Sequence, residues 1–128
     1  MNIYRVDETF KTPMIEGDIQ NGSLKLKGKS LTEDARTFFS PFRDWLEGYF
    51  DSTAPELNIW IELEYYNTAT SKFLISVLLR LEKIMAKKPV KVFWRYDPDD
   101  IEMKETGLDF KNLIGEMIIM EAIEEEEE

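Results

Sequence analysis

The stretch from Leu57 to Met85, LNIWIELEYYNTATSKFLISVLLRLEKIM, constrains the chain more than any other. Leu57, Ile59, Ile61, Leu63 and Tyr65 alternate with Asn58, Trp60, Glu62, Glu64 and Tyr66, the period of a strand with one buried face. Leu74, Val77, Leu78, Leu81, Ile84 and Met85 then recur at three and four, the period of a helix. Between them lies Asn67-Thr68-Ala69-Thr70-Ser71-Lys72, a polar turn dense in hydroxyls. Working groups of α/β domains usually sit at such strand-to-helix junctions.

The flanking segments extend the pattern. Residues 1–12 lack caps and periodicity, although Ile3, Tyr4 and Val6 can pack. A β-hairpin is expected next, with arms at 13–19 and 23–28 joined by Asn21-Gly22, residues that tolerate positive φ. Leu31 to Phe50 reads as a helix with an apolar stripe of Ala35, Phe38, Phe39, Phe42, Trp45, Leu46, Tyr49 and Phe50. Ser30 or Thr32 is its expected cap, with Glu33 and Asp34 at its positive end. Pro41 has no N–H for the carbonyl of Thr37, which predicts a kink or restart. Residues 51–55 break the chain.

Ala86-Lys87-Lys88-Pro89 closes the second helix, and Val90 to Tyr96 is a second strand rich in β-branched and aromatic residues. Strand, helix and strand in succession imply parallel neighbours with a right-handed crossover. A short helix is expected around 107–114 with a loop before it, then a last strand from Met117 to Ile123 near a sheet edge. The reading is one domain, 1–123, followed by a frayed acidic tail, 124–128.

Charge and composition exclude several classes. The net charge is −10, with six of the 26 acids in the last eight residues. Neither body nor tail offers the basic footprint that nucleic acid requires. The chain has no cysteine and no histidine, so thiolate, disulfide and imidazole chemistry are absent. No stretch approaches the length of a membrane span, and the start lacks a signal-peptide pattern. A soluble cytoplasmic domain without cofactor or metal is expected.

The second face of the central strand carries Trp60, Glu62, Glu64 and Tyr66, which makes one side of the sheet amphipathic. Trp60, Glu62 and Glu64 are a candidate partner surface, or simply an aromatic and two acids on a solvated sheet. An enzyme using Glu62, Glu64, Asp97, Asp99 and Asp100 is a weaker reading. The run Asp97-Pro98-Asp99-Asp100 lacks the ligand spacing and glycine of a calcium loop.

In the polar turn, Thr68, Thr70 and Ser71 sit where helix N-caps sit, and one of them is expected to cap. The same geometry suits phosphorylation, because a phosphate at a helix start meets backbone N–H groups and the positive dipole end. Lys72 can pair with such a group. Asn67 is expected to shape the turn by bonding its own backbone. A constitutive adaptor with a purely structural turn is the alternative.

Several segments taken in order add a resemblance. They are Thr12-Pro13 with Gly17-Asp18, Asn21-Gly22-Ser23-Leu24-Lys25-Leu26, the long aromatic helix, Leu63-Glu64-Tyr65-Tyr66-Asn67-Thr68-Ala69-Thr70-Ser71-Lys72, and Val92-Phe93-Trp94-Arg95-Tyr96. Over about residues 12–122 the chain resembles the SiaC family of bacterial regulatory phosphoproteins. The resemblance implies an α/β, STAS-like (anti-sigma-factor antagonist-like) mixed sheet with an N-terminal β-hairpin and helices mainly on one face. It implies a non-enzymatic signalling module whose threonine, matched here by Thr68, is phosphorylated by a Ser/Thr protein kinase with a histidine-kinase-like ATPase fold. A PP2C-type phosphatase would remove the phosphate, and a diguanylate cyclase is the implied downstream partner. Tyr65, Tyr66, Asn67, Thr70, Ser71 and Lys72 are then neighbouring contacts.

Overall fold

The structure, a computed structural model, describes residues 3–18, 20–50, 56–85 and 89–124, without the side chain of Phe50. The expected break at 51–55, the lysines at 87–88 and tail residues 125–128 lie outside the described residues.

Among the described residues six strands form one sheet whose spatial order is the chain order. β1 (Ile3–Val6), β2 (Met14–Asp18) and β3 (Ser23–Ser30) make an antiparallel meander. β3, β4 (Leu57–Tyr66), β5 (Val90–Tyr96) and β6 (Ile118–Ala122) are parallel, with α1 (Ala35–Phe50), α2 (Thr68–Ile84) and α3 (Ile101–Ile114) as the three crossovers. Crossovers of one hand that always step in the same direction place their helices on the same face. The helices line a single core there, with Ile15, Leu24, Leu26, Ile59, Ile61, Leu63, Val92 and Trp94 projecting from the sheet. The strand order never reverses, so the sheet has no switch-point crevice of the doubly wound kind.

Several expectations are corrected. β1 pairs with β2 although the segment shows no periodicity, because four residues are too few to display one. α1 is capped by Asp34, which accepts from the Thr37 backbone N–H at 3.2 Å and from the Thr37 hydroxyl at 2.7 Å. Ser30 and Thr32 are not the cap; Ser30 ends β3 and is buried. α1 runs through Pro41 without restarting, and both Pro41 and Thr37 are exposed, so water can reach the unpartnered carbonyl. α3 begins at Ile101, a full turn and more before 107, with Asp100 as its cap. The Met103–Gly107–Phe110–Ile114 stripe is interrupted by glycine, which is why the pattern is faint in sequence. That glycine lets the helix lie against the Trp94 indole.

Candidate functional site

The central strand ends irregularly. Gly28 of β3 pairs with Leu63, but Lys29 pairs with Tyr65, leaving Glu64 as an extra residue. This β-bulge reverses the alternation after it. Glu64 and Tyr65 are both exposed, Tyr65 by 57%. Tyr66 turns inward instead, its ring 6.5 Å from that of Trp94 at 87°. The strict alternation expected from sequence, with Tyr65 inside and Tyr66 outside, is therefore wrong at its last two positions. Burial raises the Tyr66 phenol pKa, Asp100 and Asp109 raise it further, and a hydrogen bond with Thr106 opposes them.

Asn67 is the only residue between β4 and α2. The polar turn expected at 67–72 is thus mostly helix. Asn67, not one of the hydroxyl residues, is the N-cap: its Oδ1 accepts from the Thr70 backbone N–H at 3.0 Å. Its Nδ2 donates to the Thr32 carbonyl at 2.8 Å, and its own N–H donates to the Ser30 carbonyl at 3.1 Å.

The three hydroxyl residues then part company. Thr68 is the first residue of α2 and is exposed. Thr70 is fully buried, with its Oγ1 2.6 Å from Ser30 Oγ and 2.9 Å from Asn67 Oδ1. Ser71 is half-buried, and Lys72 is exposed one turn beyond Thr68. The first turn of α2 holds no acidic residue. Sequence reasoning treated Thr70 as a turn residue and missed its partnership with Ser30. The signal was present: the Leu74–Leu78–Leu81 stripe carried one turn back lands on Thr70.

The uncovered face carries the other candidates. Trp60 stacks on Phe93 of β5 at 5.4 Å and 13°. Glu62 lies 3.4 Å from Lys27 Nζ and 3.3 Å from Arg95 Nη1. Arg95 Nε is 3.0 Å from a Glu121 oxygen, close as an ion pair but not aligned as a hydrogen bond. Glu62 is therefore part of a cross-strand charge ladder rather than half of a carboxylate pair with Glu64. Glu62, Glu64, Asp97, Asp99 and Asp100 do line a broad cleft of about 780 Å³ at the carboxyl ends of β4 and β5, together with Lys29 and Arg95. Among the described residues no His/Cys/Asp/Glu group is arranged to hold a metal ion, and no helix is long and apolar enough to cross a membrane.

A mixed sheet with its helices on one face is the STAS-like fold. Comparison with known proteins narrows that class. The model of the SiaC family of regulatory phosphoproteins matches residues 6–123, and the chain belongs to this family. It is 30% identical over 112 residues to an uncharacterized protein of Pseudomonas aeruginosa (strain UCBPP-PA14), covering 87% of this chain and 89% of that one. Apo-SiaC of P. aeruginosa superposes with a TM-score of 0.88 at 28% identity, covering 95% of this chain and all of that one. The SiaC structure in complex with the diguanylate cyclase SiaD, which it activates, gives 0.86 at 29% identity over 94% of this chain and 99% of that one. The protein is a regulatory phosphoprotein rather than an enzyme.

Proposed function

We propose that the protein is a switch in which phosphorylation of Thr68 controls binding to a diguanylate cyclase. One observation carries the choice of residue. Of the three hydroxyl residues on the first turn of α2, Thr68 is exposed, Thr70 is buried and Ser71 is half-buried. The choice of partner rests on the SiaC–SiaD complex, whose SiaC has the same fold.

In the forward step Thr68 Oγ attacks the γ-phosphorus of ATP on a Ser/Thr kinase of the histidine-kinase-like ATPase class. The bond to ADP breaks, and the hydroxyl proton passes to a base on the kinase. A PP2C-type phosphatase reverses the step by hydrolysis, returning the proton to Thr68 Oγ and releasing inorganic phosphate. ATP places these events in the cytoplasm. The phosphate adds close to two negative charges beside Tyr65, Asn67, Ser71 and Lys72, so a partner seated on the unmodified surface meets bulk and charge there. Trp60 and Phe93 stack on the uncovered face of the sheet.

Incubation with the kinase and ATP should add the mass of one phosphoryl group, and Thr68→Ala should abolish it. The phosphorylated protein should lose cyclase binding that the unmodified protein retains. Equal binding in both states would identify a constitutive adaptor instead.

A further inference from the structure

The buried Ser30–Thr70 pair has no part in the switch as described, yet it is costly to build. Both residues are 0% exposed, they are 40 positions apart, and each brings a hydroxyl into the core. A buried hydroxyl without a partner destabilises a fold, so such a pair persists when its hydrogen bonds are complete.

Proton counting fixes their direction. Each hydroxyl has one proton to donate. The Thr70 hydroxyl is 2.9 Å from Asn67 Oδ1 and 3.4 Å from the Ser30 carbonyl, so its proton goes to Asn67. Ser30 then donates to Thr70 across 2.6 Å. The relay runs Ser30 to Thr70 to Asn67. Asn67 Oδ1 also takes the Thr70 backbone N–H, while Nδ2 is held by the Thr32 carbonyl. The amide of Asn67 therefore has one orientation, and its backbone is tied to Ser30 from the other side. Thr68 follows directly, with no slack residue between it and this clamp.

We propose that Ser30 and Thr70 are positioning residues for phosphoryl transfer to Thr68: the relay holds the first turn of α2 in the geometry that the kinase reads. This rests on the assignment of Thr68 as the acceptor. β4 stays paired with β3 as far as Tyr66, and Thr68 is already the first residue of α2, so a kinase must take Thr68 from the folded end.

The test compares Thr70→Val, Thr70→Ser and Ser30→Ala with the parent, well below their unfolding midpoints. Two readouts are used: steady-state phosphorylation by the kinase with ATP, and amide hydrogen exchange at Thr70 and Ser71. Thr70→Val should lower kcat about tenfold with KM little changed, and speed exchange at both amides by a similar factor. Thr70→Ser should restore both. Ser30→Ala should fall between them, since Thr70 keeps its bond to Asn67. If Thr70→Val does not fold, Ser30→Ala/Thr70→Val leaves no orphaned hydroxyl and carries the same comparison.

Unchanged or faster phosphorylation of folded Thr70→Val at Thr68 overturns the positioning role. Slowed exchange or no change in exchange overturns the relay itself. A parent protein that takes phosphate elsewhere, with exchange responding as expected, overturns the Thr68 assignment and the positioning role while leaving the relay standing.

Discussion

Tyr65 and Tyr66 leave β4 on opposite sides, as strand neighbours do, but the bulge at Glu64 exchanges their faces, so that Tyr65 points out and Tyr66 points in. Tyr65 is exposed beside the candidate acceptor, and Tyr66 packs edge-on against Trp94. Their substitutions should therefore separate cleanly. Tyr65→Ala should change unfolding free energy by less than about 0.5 kcal/mol while weakening cyclase binding about tenfold. Tyr66→Ala should cost about 2–3 kcal/mol in urea unfolding. A larger stability loss for Tyr65→Ala than for Tyr66→Ala would mean that the strand keeps its alternation to the end.

Two helical glycines give opposite predictions. A Cβ on Gly107 would run into the indole of Trp94, whose Nε1 donates to the Met103 carbonyl at 3.0 Å and so cannot easily move. Gly107→Ala should lose about 1–2 kcal/mol despite the better helix propensity of alanine. Gly48 in α1 has nothing within 4 Å of an added Cβ and no positive φ. Gly48→Ala should gain about 0.5–1 kcal/mol. Thermal melts would show the pair moving in opposite directions, by roughly 4 °C per kcal/mol.

Acid should loosen α1 first. The Thr37 hydroxyl and backbone N–H hold the Asp34 carboxyl below its ordinary pKa, and Arg80 does the same to Glu47 through hydrogen bonds of 3.0 and 3.1 Å. Both groups bind fewer protons folded than unfolded just below the ordinary carboxylate value. Their contribution is present above that value and disappears as pH falls through the folded pKa. Unfolding free energy should be flat from neutrality to about pH 5 and decline below about pH 4. Asp34→Asn should shallow that decline. Glu47→Gln should change it by less than about 1 kcal/mol, because the pair is solvent-screened. At the alkaline end Tyr66, raised mainly by burial, favours the folded state until pH rises through its folded pKa. Tyr66→Phe should shallow that limb without abolishing it, because burial raises Tyr4 and Tyr49 as well.

Most of the architecture was legible because two periods, 2 and 3.6, change over cleanly at β4 and α2. The hairpin turn was legible because Gly22 needs its φ of 61°. The rest depended on contacts between residues far apart in sequence. Nothing local in Asp34 ranks it above Thr32 as the cap of α1; Ser30 was unavailable because Thr70 occupies it. The reversal at Tyr65 and Tyr66 arises from register with Gly28 and Lys29 on another strand. At the candidate site, sequence spacing supplied a group of hydroxyls and resemblance chose Thr68. Burial alone distinguishes Thr68 from Thr70, and burial is a property of packing.

The last prediction separates the effect of charge on the helix from its effect on the partner. The first turn of α2 has a neutral cap and no acid, so Thr68→Glu places an anion where the dipole favours one, four residues before Lys72. The substituted protein should be as stable as the parent or up to about 1 kcal/mol more stable at low salt, and the gain should vanish at 1 M salt, where screening acts within roughly 3 Å. Cyclase binding should nevertheless fall at least about tenfold, since carboxylate and phosphate offer the same sign of charge at the same place. A variant that loses binding together with stability would indicate a damaged helix. Loss of binding with stability held or raised can arise only at the surface around Thr68.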